Sequence, residues 1–580
     1  MTHSVTWKIS GEAGFGIMSA GTMISKAFAR NGYYTLCINE YPSLIRGGHN
    51  IITVRISSEY FESLNRDVQI LVALHNQSIE VHKGELSEHA LVVFDPKDKE
   101  WTLADFPKPV KLLPVPLTEL VVAANGIPVM RNTIALGATV ALMGVDFSFI
   151  ESVIRDQFKK KKQAVIDSNI AIARQGYDYV KAHFPEETSM HIAPAAASEP
   201  KLIINASEAV GIGAYRAGLK FAAIYPMTPI NSLISFLADH AKELNIVYRQ
   251  PEDEIAGINM ALGASLAGVR SMVASSGGGF ALMVEAISLA GIMELPVVID
   301  LGMRVGPATG MPTWTEQGEL QFAIHAGHGE FPKIILAPSD AGEAYQMTFD
   351  AFNLADKYQI PVLVLTDKYM NESQWCVPES VFKKEVTINR GKLAKDEDLP
   401  TDGSYKRYSL DTQDGASLRS IPGQKGGVYI SNAYEHDETG IVTESPHERV
   451  LMAGKRFKKL KAIESDVKPP TMYGDADADI TFVSWGSSRG PVIDAIAMLK
   501  NQGVRANLYH FTWMFPFASA QVTEMLSKAK RIVDVEQNAT GQLAALIREH
   551  TGIEIKEKVL KFDGRPFFPE DIVEAIRRNV

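Results

Sequence analysis

Cysteine is scarce in this sequence, which contains two cysteines, Cys37 and Cys376, among its 580 residues. Two thiols can neither build a disulfide framework nor supply the four ligands of an iron–sulfur cluster. Acidic residues outnumber basic ones, 68 to 58, and the net charge of −10 argues against a nucleic-acid partner, which would need a basic face. No apolar run approaches the roughly 20 residues needed to span a bilayer, and the first residues lack the apolar core of a signal peptide. We therefore expect a cytoplasmic protein with no membrane span.

The dinucleotide-binding fingerprint is also missing. A strand at residues 4–9 leads into Gly11-Glu-Ala-Gly14-Phe-Gly16, whose spacing is G-x-x-G-x-G rather than G-x-G-x-x-G. An Ala-rich helix then runs through Ala29, so strand, glycine turn and helix predict the start of a parallel α/β unit. The pattern disfavours nicotinamide binding, and it leaves open a phosphate-bearing ligand at this helix N-terminus.

Two short stretches carry most of the functional signal. At residues 224–230 an apolar run ends in a turn that holds Thr228 between Pro226 and Pro229. At residues 252–268 acidic residues lead into a helix rich in Ala and Gly. A carboxylate such as Glu254 at the start of a buried small-residue helix is hard to ionise without a partner. Glu254 therefore either caps a helix N-terminus, where an acid is favourable, or binds a ligand.

These stretches together resemble the pyrimidine-binding domain of the 2-oxoacid:ferredoxin oxidoreductases, which are thiamine-diphosphate enzymes. Glycines follow Glu254 by nine and fourteen positions, at Gly263 and Gly268, which is the spacing found after the family's cofactor-binding Glu; Glu252 does not give it. The resemblance implies that Glu254 hydrogen-bonds the aminopyrimidine ring and activates the cofactor. It also implies that Thr228 hydrogen-bonds the 1-carboxylate or the developing alkoxide of the substrate.

The same resemblance implies further cofactor contacts close to these two residues. Three consecutive glycines suit a backbone pressed against a ligand, and a plain tight turn is the alternative. The predicted cofactor-binding residues, besides Glu254, are Tyr225, Pro226, Ser276, Gly277, Gly278 and Phe280.

The substrate carboxylates need cations, and three positions are candidates. Residues 304–313 match the family's Gly-Pro-Ser-Thr-Gly-x-Pro-Thr closely, but Trp314 stands where some relatives carry Arg or Lys. Arg304 and Arg46 are therefore the alternatives for the first carboxylate. Arg46-Gly47-Gly48-His49 reads as a mobile cationic loop, or alternatively as a tight turn with a solvated Arg. We hypothesise that Arg46 or His49 binds the distal carboxylate of a five-carbon diacid.

The predicted fold class is α/β, with three parallel-sheet domains. The three domains are a gamma domain (1–185), a thiamine-diphosphate pyrimidine-binding domain (201–392) and a transketolase C-terminal-like domain (476–580). A linker (186–200) follows the first domain, and an irregular connecting segment (393–475) follows the second. The segment Glu435-His436-Asp437-Glu438 has the composition of a metal site, but we favour a structural role. We predict no metal site on this chain.

The Gly-Asp-Gly signature of a Mg²⁺–diphosphate site is absent, and Gly474-Asp475-Ala476 is the nearest match. No Cys-x-x-Cys exists either. The resemblance, which is to a gamma domain fused ahead of an alpha subunit, therefore implies a partner. This beta subunit would hold thiamine diphosphate, Mg²⁺ and a [4Fe–4S] cluster, in a heterotetramer formed as a dimer of alpha–beta heterodimers.

The reaction implied is that of the family members acting on 2-oxoglutarate. They convert 2-oxoglutarate, coenzyme A and oxidised ferredoxin to succinyl-CoA, CO₂ and reduced ferredoxin, reversibly, in the TCA or reductive TCA cycle. Two alternatives remain open. One is the same chemistry on pyruvate or another 2-oxoacid, and the other is a non-catalytic assembly subunit.

Overall fold

The computed structural model describes residues 3–44, 47–189, 192–196 and 199–578. The strands are β1 (Ser4–Glu12), β2 (Tyr34–Glu40), β3 (His49–Ser57), β4 (Val68–Ala73), β5 (Leu86–Phe94), β6 (Val110–Pro114), β7 (Lys201–Ile204), β8 (Leu219–Ala223), β9 (Val247–Arg249), β10 (Arg270–Ser275), β11 (Val297–Met303), β12 (Ile334–Leu336), β13 (Pro361–Asp367), β14 (Gln374–Pro378), β15 (Thr471–Gly474), β16 (Ile480–Trp485), β17 (Ala506–Phe511), β18 (Trp513–Phe515), β19 (Ile532–Glu536) and β20 (Glu557–Leu560). The α-helices are α1 (Ile17–Ala29), α2 (Asn76–His82), α3 (Leu117–Ala123), α4 (Arg131–Leu142), α5 (Ser148–Gln157), α6 (Gln163–His183), α7 (Ala206–Arg216), α8 (Asn231–His240), α9 (Glu254–Leu266), α10 (Gly277–Met293), α11 (Leu320–His325), α12 (Ala341–Tyr358), α13 (Lys368–Glu372), α14 (Glu379–Lys383), α15 (Pro446–Ile463), α16 (Arg489–Lys500), α17 (Ser519–Ser527), α18 (Gln542–Thr551) and α19 (Pro569–Arg578).

The chain divides into two compact units. The first comprises Met1–Ile204, Glu372–Lys383 and Phe568–Val580, and the second comprises Asn205–Asn371 and Lys384–Phe567. Within the described ranges, no helix is long and apolar enough to cross a membrane.

The first unit is built on an eight-stranded sheet with the order β6-β5-β4-β1-β3-β2-β14-β7. Its helices approach closely where small residues meet. A Cβ on Gly137 of α4 would lie 1.8 Å from the carbonyl oxygen of Ala173, and one on Gly176 of α6 would lie 2.0 Å from that of Ile134. Only glycine allows these two backbones to touch. Glycine at these two positions therefore allows α4 and α6 to pack in close contact.

The second unit contains the other two sheets. A seven-stranded sheet has the order β18-β12-β13-β11-β10-β8-β9, and a five-stranded sheet has the order β15-β17-β16-β19-β20. Both are parallel except at one edge, where β18 and β15 are antiparallel to their neighbours. Crossover helices between parallel strands cover both faces of such a sheet, which is why the inner strands β10, β11, β13 and β16 are buried along their whole length.

The predicted α/β class with three sheets is confirmed, and one feature of the sheets differs from the prediction. The first sheet is mixed, because β3 is antiparallel to both β1 and β2. The connection from β2 to β3 spans eight residues (41–48), which suffices to join antiparallel neighbours but not for a parallel crossover.

The segment predicted to be irregular, 393–475, includes one long helix. Ser445 caps α15 by accepting a hydrogen bond from the Glu448 backbone N–H, and Pro446 occupies the first turn. The helix buries two lysines against Glu294, with Lys455 Nζ 2.6 Å from Oε1 and Lys459 Nζ 2.6 Å from Oε2.

This buried ion cluster gives a stability prediction. Burial would raise the pKa of Glu294, but Lys455 and Lys459 hold it below its usual range. Glu294→Gln leaves two ammonium groups buried without a counter-charge, so we expect it to lower the free energy of unfolding by about 3–5 kcal/mol. The midpoint of urea unfolding measures this.

The matched control is Glu464→Gln, because Glu464 is exposed just beyond the same helix. We expect the control to change stability by less than about 0.5 kcal/mol. Equal midpoints for the two variants would show that the cluster contributes nothing to stability.

Candidate active site

Glu254 is the first residue of α9, and its side chain is only 3% exposed. The preceding Asp253 caps the helix, since its carboxylate accepts a hydrogen bond from the Ala256 backbone N–H at 2.7 Å. Capping is therefore performed by the neighbour. Among the described residues, the Glu254 carboxylate receives one hydrogen bond, from Ser275 Oγ to Oε1 at 3.2 Å. This acid is buried for a reason other than helix capping.

The glycine turn at the start of α10 lies directly against Glu254. A Cβ on Gly279 would lie 2.2 Å from Glu254 Oε1 and 2.0 Å from Ser275 Oγ. Ser276 precedes the helix with its side chain fully buried, and among the described residues its Oγ has no hydrogen-bond partner. The turn thus presents bare backbone and an unused hydroxyl beside a buried carboxylate.

A second carboxylate, that of the partly buried Glu319, packs against the same turn. Its Oε1 would be 2.4 Å from a Cβ on Gly277, and within the described part of the chain its Oε2 has no hydrogen-bond partner. Burial and the nearby Glu316 raise the pKa of Glu319 to about 8, although Arg304 acts to lower it. At neutral pH Glu319 is therefore a protonated acid able to donate a hydrogen bond. Sequence reasoning did not select this residue.

Thr228 and Arg304, two predicted substrate residues, are brought together. Arg304 Nη1 donates to the backbone oxygen of Thr228 at 2.8 Å, and Arg304 is 8% exposed. Asn231 Nδ2 donates to Thr228 Oγ1 at 3.3 Å, so the hydroxyl's own proton is not used in that bond. Burial lowers the pKa of Arg304 while Glu319 acts to raise it. The arginine therefore fixes the turn that carries Thr228.

The other predicted cofactor residues have different surroundings. Tyr225 is half-buried, and Pro226 and Gly278 are exposed. Phe280 is fully buried and packs edge-on against Phe322, with ring centroids 5.2 Å apart. The phenyl ring is thus part of the core, and a cofactor contact by this residue stays a prediction.

A cation lies next to Trp314, the position at which some relatives carry Arg or Lys. The guanidinium carbon of Arg565 lies 3.2 Å from the centroid of the Trp314 ring, a cation–π contact. The two residues are 251 positions apart, so no local sequence signal could have paired them.

The remaining two candidates belong to the first unit. Arg46 lies outside the described residues. His49 is the first residue of β3 and is half-buried, with its Nε2 2.9 Å from Nε2 of His82.

The metal-like segment is held by structural contacts. His436 is fully buried, with Nδ1 2.9 Å from the Asp437 carbonyl oxygen and Nε2 3.3 Å from that of Ile292. Glu435 forms ion pairs with Arg449 and Arg456. No group of three or more His, Cys, Asp or Glu side chains able to hold a metal ion occurs among the described residues.

These observations fit the half of a thiamine-diphosphate site that binds the aminopyrimidine ring. The aminopyrimidine ring needs a buried carboxylate and a close backbone, which Glu254 and the turn at 276–279 provide. The diphosphate needs a divalent metal with oxygen ligands, and the described residues offer no such group.

Three family models match successive parts of the chain. Residues 6–179 match "Pyruvate ferredoxin/flavodoxin oxidoreductase", residues 212–454 match "Pyruvate flavodoxin/ferredoxin oxidoreductase, thiamine diP-bdg", and residues 478–572 match "Pyruvate:ferredoxin oxidoreductase core domain II". Subunit alpha of 2-oxoacid:ferredoxin oxidoreductase 2 from Aeropyrum pernix is 33% identical, over 98% of this chain and 97% of that relative. This chain belongs to the 2-oxoacid:ferredoxin oxidoreductase family.

Two further similarities concern members of this family that are named for 2-oxoglutarate. The 2-oxoglutarate oxidoreductase subunit KorA of Mycobacterium tuberculosis is 29% identical, over 77% of this chain and 68% of that one. The solved 2-oxoglutarate:ferredoxin oxidoreductase from Magnetococcus marinus, which has 2-oxoglutarate, coenzyme A and succinyl-CoA bound, covers 100% of both chains at 31% identity and a TM-score of 0.92. The chain is thus an alpha subunit of a thiamine-diphosphate-dependent 2-oxoacid:ferredoxin oxidoreductase.

Proposed function

We propose that the substrate is 2-oxoglutarate, and that the chain acts in its reversible conversion with coenzyme A to succinyl-CoA and CO₂, with electrons passing to ferredoxin. The single observation that carries a catalytic role is the buried Glu254 carboxylate on the bare backbone at Gly279. The choice of substrate is supported by the full-length similarity to an enzyme solved with 2-oxoglutarate bound.

Glu254 would act on the aminopyrimidine ring. When bound, thiamine diphosphate supplies a nucleophilic carbon and takes up the electron pair released with CO₂. The Glu254 carboxyl group would hydrogen-bond a ring nitrogen and share a proton with it. Because Gly279 has no side chain, the Glu254 carboxyl group can lie directly against the start of α10.

Thr228 would orient the keto acid. Its hydroxyl would donate a hydrogen bond to the 1-carboxylate or the developing alkoxide, since its own proton is not used in the contact from Asn231. Arg304 would act at the same end by fixing the Thr228 backbone and adding positive charge. We propose Arg46 and His49 for the distal carboxylate, the group that distinguishes a five-carbon diacid from pyruvate.

A partner subunit would complete the site. On α9 and α10, which pack against each other, Ile255, Met260 and Leu282 are exposed although apolar. Ile255 directly follows Glu254, so a partner covering this surface would bring its own cofactor half to the buried carboxylate. We propose that this beta subunit holds Mg²⁺ and a [4Fe–4S] cluster, reduces ferredoxin, and assembles with this chain as a dimer of heterodimers.

A panel of 2-oxoacids tests the proposal. The chain is co-purified with its beta subunit and assayed by viologen reduction with coenzyme A. We expect the highest kcat/KM for 2-oxoglutarate, compared with pyruvate and branched-chain 2-oxoacids. A preference for pyruvate would replace the proposed substrate, and unchanged activity of the beta subunit without this chain would make the chain an assembly subunit.

The Thr228→Val variant tests whether Thr228 binds the end of the substrate that all 2-oxoacids share. Losing a hydrogen bond to a charged group costs about 1.5–3 kcal/mol, so kcat/KM should fall about 10- to 100-fold. The loss should be equal for every 2-oxoacid, because all share the 1-carboxylate. Thr523→Val, a change at an exposed position of α17, is the control. A loss confined to one substrate would contradict this role of Thr228.

A further inference from the structure

A chain of hydrogen bonds leads from the interior of the first unit to His49. Lys8 of β1 forms an ion pair with Glu85 Oε2. Glu85 Oε1 lies 3.0 Å from Nδ1 of His82, and Nε2 of His82 lies 2.9 Å from Nε2 of His49. His82 is 2% exposed and Lys8 is 6% exposed. We call these four residues the relay.

The relay fixes where the protons lie. Burial would raise the pKa of Glu85, but the hydrogen bond from His82 and the charge of Lys8 lower it to about 2, so Glu85 is an anion. A carboxylate only accepts hydrogen bonds, so His82 donates through Nδ1–H. When His82 holds only this proton, its Nε2 carries a lone pair, and His49 must donate to it through Nε2–H. The remaining nitrogen of His49, Nδ1, is left without a proton.

A resting His49 in this form repels an anion. Its Nδ1 presents a lone pair, whereas a bound carboxylate needs a donor. Moving the His49 proton from Nε2 to Nδ1 would place two lone pairs 2.9 Å apart. Reversing every bond of the relay would require a proton on Glu85. Each arrangement that gives Nδ1 a proton and keeps the relay intact therefore holds one proton more than the resting state.

We propose that His82, Glu85 and Lys8 are positioning residues that make binding of a dicarboxylic 2-oxoacid depend on the uptake of one proton by the relay. This inference rests on the proposed function, in which His49 binds the distal carboxylate. A monocarboxylic 2-oxoacid has no group to place at His49, so it binds without proton uptake. The relay would thus be a specificity device.

The charges around His49 favour this assignment. Burial is the largest cause that lowers its pKa, to about 4, and His82, His75 and Lys8 act in the same direction while Glu85 opposes them. His75 itself lies 3.4 Å from Glu12, the residue paired with His49 across β1 and β3. His49 is therefore neutral at pH 7 in the resting protein, and an arriving carboxylate would supply the charge that stabilises the added proton.

Calorimetry on the complex with the beta subunit tests the proposed proton uptake with two unreactive substrate analogues. N-oxalylglycine mimics 2-oxoglutarate, and oxamate carries the same head group without the distal carboxylate. Titrations at pH 7 in buffers of different ionisation enthalpy should give about one proton taken up per N-oxalylglycine and none per oxamate. By linkage, N-oxalylglycine affinity should fall at least tenfold between pH 6 and pH 8, with oxamate affinity unchanged.

His82→Gln identifies the relay as the cause. A Gln amide can donate to His49 or accept from it, so His49 becomes free to present Nδ1–H while neutral. Proton uptake should fall towards zero and the pH dependence should flatten, with oxamate affinity retained as evidence of an intact fold. His183→Gln, a change at an exposed position of α6, should behave as wild type.

The outcomes separate this inference from the proposed function. Tight N-oxalylglycine binding without proton uptake, or His82→Gln with the pH dependence of wild type, overturns the relay and leaves the proposed substrate standing. N-oxalylglycine binding no tighter than oxamate overturns the proposed substrate and the relay with it. Loss of proton uptake in both His82→Gln and His49→Gln supports the proposed role of the relay.

Discussion

Glu254→Gln is expected to lower kcat for 2-oxoacid oxidation at least ~10²-fold, the effect typical of losing a general acid–base group. Gln has nearly the same shape and still hydrogen-bonds, but it cannot share a proton with the aminopyrimidine ring. The change is in a side chain that is 3% exposed and receives one hydrogen bond, from Ser275. Because Asp253 performs the helix capping, we expect little loss of stability. Steady-state assays of the complex with the beta subunit measure the effect.

Glu252→Gln is the matched control, since it alters an exposed acid two residues earlier on the same turn. The variant should retain activity, because Glu252 does not have the spacing to the following glycines that the family's cofactor-binding Glu has. If both variants lost activity equally, the general negative charge of this turn would matter and not the buried carboxyl group. Full activity of Glu254→Gln would remove the catalytic role proposed for this chain.

The candidate site residues that were selected from the sequence lie in motifs that are local in the chain. The turn holding Thr228, the acid at 254 and the glycines at 277–279 are short motifs, and the fold brings Glu254 against Gly279. The α/β class also followed from local patterns of strand, turn and helix. These features depend on residues within one or two turns of each other, so periodicity and spacing suffice to find them.

What the sequence did not reveal depends on contacts between distant segments. Arg565 reaches Trp314 across 251 positions, and Lys8 meets Glu85 across 77. The antiparallel place of β3 depends on a register that no single strand encodes. Glu319 follows a recognisable motif, but its raised pKa comes from burial, which only the folded chain creates.

Burial also explains why one methyl group should disable this site. Gly279→Ala would place a Cβ 2.2 Å from Glu254 Oε1 and 2.0 Å from Ser275 Oγ, far below van der Waals contact. The Glu254 carboxylate must therefore leave its position. We expect kcat to fall about as much as in Glu254→Gln, by ~10²-fold. Overpacking should also lower the free energy of unfolding by about 1–3 kcal/mol.

Gly454→Ala is the control for this substitution, because it makes the same change inside helix α15 at an exposed position with no heavy atom within 4 Å of the new Cβ. It should keep full activity and stabilise the chain by roughly 0.5–1 kcal/mol through helix propensity. The double variant Gly279→Ala/Glu254→Gln decides the cause. If the alanine acts by displacing Glu254, the double variant loses little beyond either single change, since the two effects are not additive. Fully additive losses would mean that Gly279 serves the ligand independently of the carboxylate it touches.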